Sequence, residues 1–169
     1  MGARVTTSSM RARTLYPGVL VFTGGLVIGT FDIVYACIFW FVKAGVPAQR
    51  ILQSVAAGVL GPSSFQGGAA TASLGIVLHY LIAMTMSVAY YLVATRLSWL
   101  HERPVLYGAV YGLILYAIMS LVVVPLSAAP PGSTDAVWVV LSVAVHAFAI
   151  GVPIAFFGQF AHRAQIAIP

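Results

Sequence analysis

Charge is nearly absent from this chain. Of its 169 residues only 7% are charged, three acidic and eight basic, while 61% are hydrophobic. A soluble globular domain carries about a quarter charged residues, so composition alone excludes a water-facing fold. Asparagine is missing altogether, which excludes N-glycosylation. A single cysteine, Cys37, leaves no internal disulfide and no two-cysteine relay. Cys-x-x-Cys, HExxH, GxSxG and a phosphate-cradling glycine loop beside a lysine are also missing, so the usual signatures of an enzyme are not found.

What remains is long and apolar. Stretches at about 16–43, 71–95, 105–126 and 136–160 each reach the roughly 20 residues needed to cross about 30 Å of hydrocarbon. Runs such as Val105 to Val124 are continuously apolar, unlike the in-out alternation of a spanning strand. The prediction is an all-α integral membrane four-helix bundle, one domain over residues 1–169, with the lipid bilayer as its main partner.

The few bases are unevenly divided. Arg4, Arg11, Arg13, Arg96, Arg103 and Arg163 fall on the side of the N-terminus, and Lys43 and Arg50 on the other. Positive charge accumulates in cytoplasmic loops, which predicts an inner-membrane protein with both termini cytoplasmic. The net charge of +5 then reads as topology and headgroup affinity, about 1 kcal/mol per juxtamembrane base, with no nucleic acid partner. Trp40 and Trp138 are expected at the outer interface and Trp99 at the inner one.

Three processing patterns are weighed and set aside. Residues 1–30 begin basic and turn apolar, like a signal peptide, but no small-x-small cleavage site follows and the run exceeds a typical h-region. The segment Val34-Tyr35-Ala36-Cys37 is a poor lipoprotein box because of Tyr35 and the preceding Asp32. Gly2 and Thr6 match a myristoylation pattern that is common by chance.

Between the first two spans, Pro47 opens a short helix in which Ile51, Leu52, Val55, Val59 and Leu60 recur on one face. Gln49, Arg50 and Gln53 fall mainly on the opposite side. The expectation is a short outer interfacial helix, either a connector or a lid, ended by Gly61-Pro62-Ser63-Ser64.

Small residues let helices approach closely in lipid. Gly25 and Gly29 on the first span and Gly108 and Gly112 on the third are the predicted packing positions. Asp32 continues the first of these faces. His79 shares a face with Gly75, Ala83 and Met86, and His146 with Ser142, Ala149 and Pro153. Asp32 lies eleven residues before Lys43 and His146 eleven after Asp135, which places both roughly 16 Å below the outer boundary. His79 reaches a similar depth. Pro153 is expected to kink the fourth helix and free the Ala149 carbonyl. His101 and His162 fall at the inner ends and read as bystanders.

An ionisable residue inside hydrocarbon usually faces a partner or a wet cavity and marks function. Asp32, His79 and His146 are therefore the candidate site, as a proton relay, a ligand site or a metal site.

Gly29-Thr30-Phe31-Asp32, Leu74-Gly75-Ile76-Val77-Leu78-His79, Val123-Val124-Pro125-Leu126-Ser127 and His146 to Ala155 together resemble a group of small, uncharacterised bacterial four-span membrane proteins. The likeness runs from about Pro17 to Phe160. It implies a bacterial cytoplasmic-membrane protein in which Asp32, His79 and His146 belong to a shared pattern, and it carries no activity.

Three functions are compatible with these residues. One is proton-linked transport of an unknown small solute, with a possible homo-oligomer formed through the glycine faces. Another is a redox subunit with His79 and His146 as axial haem ligands and Arg50 near a propionate. The third is a noncatalytic accessory or scaffold protein whose polar cluster fixes packing. A divalent metal on Asp32, His79 and His146 with an open coordination position is a further possibility.

Overall fold

The structure, a computed structural model, describes residues 7–166, with side chains described from Pro17 to Gln165. Gly2, Arg4 and Thr6 lie outside the described residues, as do the side chains of Arg11 and Arg13. The elements are α1 (Thr7–Ala44), α2 (Ala48–Leu60), α3 (Gly68–Arg96), α4 (Pro104–Ile118), α5 (Val124–Leu126), α6 (Ala136–Ala144) and α7 (Val152–Ile166). A π turn, Met119–Val123, joins α4 to α5, and a second, Val145–Gly151, joins α6 to α7. No strand occurs among the described residues.

Four helical stretches are long and apolar enough to cross a membrane: Pro17–Ala44, Gly68–Arg96, Pro104–Leu126 and Ala136–Gln165. They extend the predicted second and fourth spans by a few residues. Their outward faces carry Phe31, Phe41, Leu81, Leu121, Val140 and Phe148, all exposed. So large an apolar surface requires lipid around it. The chain is an all-α, multi-pass membrane bundle.

The fourth span is the hub. It packs against each of the other three, whereas the second and third spans meet through side chains, with Tyr111 donating to the Met86 carbonyl at 2.7 Å and packing edge-on against Tyr90. Gly108 and Gly112 are what let the third span reach it. A Cβ on Gly112 would run into the His146 carbonyl oxygen, and one on Gly151 into the Gly108 carbonyl oxygen. Backbone rests directly on backbone. On the first span, a Cβ on Gly25 would lie 2.8 Å from Met84 Sδ and one on Gly29 3.0 Å from Ala83 Cβ. Both glycine pairs make close contacts inside the chain.

Both π turns precede a proline. Pro125 and Pro153 have no N–H to offer the carbonyls of Leu121 and Ala149 four residues back, and each of those carbonyls falls within a π turn. The predicted kink at Pro153 takes the form of a widened turn, and Pro125 repeats it on the third span.

Helix α2 packs on the first turns of α3, where Gly75 admits the Leu52 carbonyl. Its buried face is Gln53, Ala56 and Ala57, while Val59 and Leu60 are exposed. This reverses the predicted facing of Gln53. The amide turns inward because it has partners there: Gln53 Nε2 donates to the Gly68 carbonyl at 3.0 Å and to Thr71 Oγ1 at 3.3 Å.

At one end of the bundle Lys43 pairs with Asp135, joining the first span to the fourth. Asp135 also caps α6, accepting from the Trp138 N–H at 2.9 Å. The hydrogen bond from Lys43, helped by that from Trp138, holds its carboxyl below the usual carboxylate range. Beside the pair, Trp138 stacks on Tyr35 at 5.4 Å and contacts Phe39 and Trp40. The opposite end is marked by His101 stacked on His162, with ring centroids 4.4 Å apart.

Candidate functional site

A cavity of about 310 Å³ lies among the four spans and is bordered by α2. Asp32, His79 and His146 all line it. Asp32 comes from the Gly25/Gly29 face of α1, which the close approach to α3 turns inward. His79 comes from the same side of α3, and His146 from the second π turn. The ion pair between Lys43 and Asp135 levels the two ends from which Asp32 and His146 are counted, so both stand roughly 16 Å inside it.

Each imidazole is oriented by one backbone bond. His79 Nε2 donates to the Gly29 carbonyl at 2.8 Å, across from α3 to α1. His146 Nδ1 donates to the Ser142 carbonyl at 2.9 Å, and Tyr116 packs edge-on against the ring at 5.3 Å. A carbonyl only accepts, so in each neutral ring the second nitrogen is left as an acceptor. Asp32 differs. It is half-buried, yet it forms no hydrogen bond or ion pair among the described residues.

The cavity is closed at one end and open at the other. Ile28, Ala83 and Ile150 belong both to its wall and to the packed core that continues through Tyr90, Leu115 and Ile154 towards the His101 end. On the other side, Ser54 of α2 and Val123 of the first π turn are lining residues that are themselves exposed, which marks the mouth. Val55 and Gly58 extend α2 across it, held by the Ala128 N–H donating to the Gly58 carbonyl at 3.0 Å. Helix α2 therefore borders the opening.

Among the described residues no three His, Cys, Asp or Glu side chains are grouped to hold a metal ion, so Asp32, His79 and His146 do not form the three-ligand site considered above. A bis-histidine haem fits poorly as well. With Nε2 committed to Gly29, His79 would have to bind iron through Nδ1, the nitrogen crowded by its own Cβ.

His101 and His162 are not the surface bystanders expected. His101 is only 9% exposed, and both its ring nitrogens, together with His162 Nδ1, are buried without a hydrogen-bond partner. Burial, then the facing His162, lower the His101 pKa from its ordinary 6.5. The folded state thus binds fewer protons than the unfolded one below pH 6.5. The contribution of His101 to stability is complete above that pH and declines as pH falls towards the folded value. Thermal unfolding in detergent is expected to show a midpoint that drops between pH 7 and pH 5, and His101→Phe should flatten that slope.

No protein family, curated protein or solved structure matches this chain.

Proposed function

We propose that this protein is a proton-linked carrier of a small solute in a bacterial cytoplasmic membrane, oriented with both termini on the cytoplasmic side. The orientation rests on the division of arginine and lysine between the two ends. The carrier reading rests on one observation: an unpartnered carboxylate in the wall of a cavity that is open at one end and closed by packed side chains at the other.

A carboxylate held this way binds a proton or a cation from the open side. Once neutralised, it crosses apolar surroundings at far lower cost than its ionised form. The two π turns widen the helices beside the cavity, and such turns concentrate at functional sites because their extra residue loosens the hydrogen-bond ladder. They are the natural points for the third and fourth spans to bend when access switches.

A packing-only role has its own support, since His79 bonds across to the Gly29 carbonyl and pins α3 to α1, while His146 bonds to the Ser142 carbonyl of its own span. Interhelical hydrogen bonds in membranes average only about 0.6 kcal/mol, which accounts for His79 and leaves Asp32 unexplained.

Protein reconstituted in liposomes around a pH-sensitive dye separates the two. Protein-dependent proton flux is expected, blocked by a hydrophobic carbodiimide in step with a single adduct on Asp32 read by mass spectrometry. Liposomes whose pH gradient survives as long as empty ones would leave only the packing role.

A further inference from the structure

The polar groups facing the cavity are unbalanced. Asp32 offers two acceptor oxygens. His79 and His146, with one N–H each committed to a backbone carbonyl, offer their remaining nitrogens as acceptors when neutral. The hydroxyl donors are taken: Ser54 Oγ donates to the Ile51 carbonyl at 2.7 Å and Ser127 Oγ to the Val124 carbonyl at 2.8 Å. The Ala129 N–H is spent on Ser127 Oγ at 3.2 Å. No Lys or Arg lines the cavity, and the sulfurs of Met86 and Met119 add only soft acceptors. The site accepts hydrogen bonds and carries one negative charge, and it has almost nothing to donate.

Size and surface narrow the ligand further. A water occupies about 30 Å³ of liquid, so a cavity of about 310 Å³ is far larger than a bare ion needs. Its remaining wall is aliphatic, with Ile28, Val55, Ile82, Val123 and Ile150. Such a wall solvates hydrocarbon and not a hydrated metal.

We infer that the cavity takes a small aliphatic ammonium ion, with its N–H donors on Asp32 and its hydrocarbon body against the methionines and aliphatic side chains. This rests on the carrier reading for its biological sense, but the chemistry of the wall carries it. An anion would meet the Asp32 charge without a compensating donor, and a neutral alcohol would leave that charge unpaired.

Calorimetric titration of the detergent-purified protein with n-butylammonium, n-butanol and butanoate, three solutes of nearly equal size, tests the assignment. Butylammonium should bind and the other two should not. Asp32→Asn should weaken butylammonium at least tenfold, while Asp32→Glu, which keeps the charge, should retain most of the affinity. Butanoate or butanol binding as well as the ammonium, or ammonium binding indifferent to Asp32→Asn in a protein that still elutes as a folded species, would overturn the assignment. So would cuprous ion binding where the ammonium fails, since thioether and imidazole suit that metal. The liposome flux is a separate readout: flux without ammonium binding ends the ligand assignment alone, and ammonium binding without flux ends the carrier reading alone.

Discussion

Asp32→Asn is expected to bring proton flux in liposomes down to the level of protein-free vesicles while leaving the bundle as stable as before, or more so. Asparagine keeps the size and shape of the side chain and cannot exchange a proton. Because Asp32 has no bonding partner among the described residues, the substitution breaks no contact and removes a half-buried charge whose desolvation opposes folding. Gain of stability with loss of activity is what a residue retained for function produces. If Asp32 served only to pin helices, the same change would lower the unfolding temperature and leave any flux untouched. Measuring both on one preparation decides the matter, and intact flux would remove Asp32 from the mechanism.

Gly112→Ala should be among the most destabilising single-methyl changes at the described glycines. Overpacking a core typically costs about 1–3 kcal/mol because side chains can shift. Here the new methyl would meet the His146 carbonyl and the Ala147 backbone, which shift only if the whole fourth span backs away. Against a domain stability on the order of 5–15 kcal/mol, a loss of about 3 kcal/mol is large. The displacement would also drag His146 from the cavity, so butylammonium affinity should fall along with the unfolding temperature. Gly18→Ala is the matched control, since nothing lies within 4 Å of its added methyl. Circular dichroism melts in one detergent compare the two, and equal midpoints would refute the backbone contact.

The four spans were legible because length and apolarity alone specify a membrane helix. The common depth of Asp32 and His146 was legible for a related reason: Lys43 and Asp135 mark the ends of their helices, and residue counting from a charged end measures depth directly. Facing was harder. The rule that polar residues look outward and apolar ones inward belongs to water, and next to lipid it can invert, as Gln53 and Leu60 on α2 illustrate. His101 and His162 were misread because 61 residues separate them in sequence and only the packing of α7 against the turn after α3 brings the rings together. The π turns had a visible cue in Pro125 and Pro153. A proline announces a lost hydrogen bond, but whether the ladder kinks or takes in an extra residue depends on the neighbour, here the glycine surface of α4 pressed against Val145–Gly151.

The hub position of the fourth span has a consequence for how the protein is made. Synthesis delivers the spans in order, and the one that touches all the others emerges last. Until then the first two spans can join through Gly25 and Gly29, but the compartment beside Asp32 lacks the wall that His146 and Ile150 provide. A nascent chain stalled after three spans therefore holds an acid next to lipid with no enclosure. The bundle closes when Asp135 reaches Lys43, an ion pair between the first span and the fourth. Truncation before residue 136 should leave an assembly intermediate for membrane quality control to recognise, with the Asp32 carboxylate the exposed mark by which it is found.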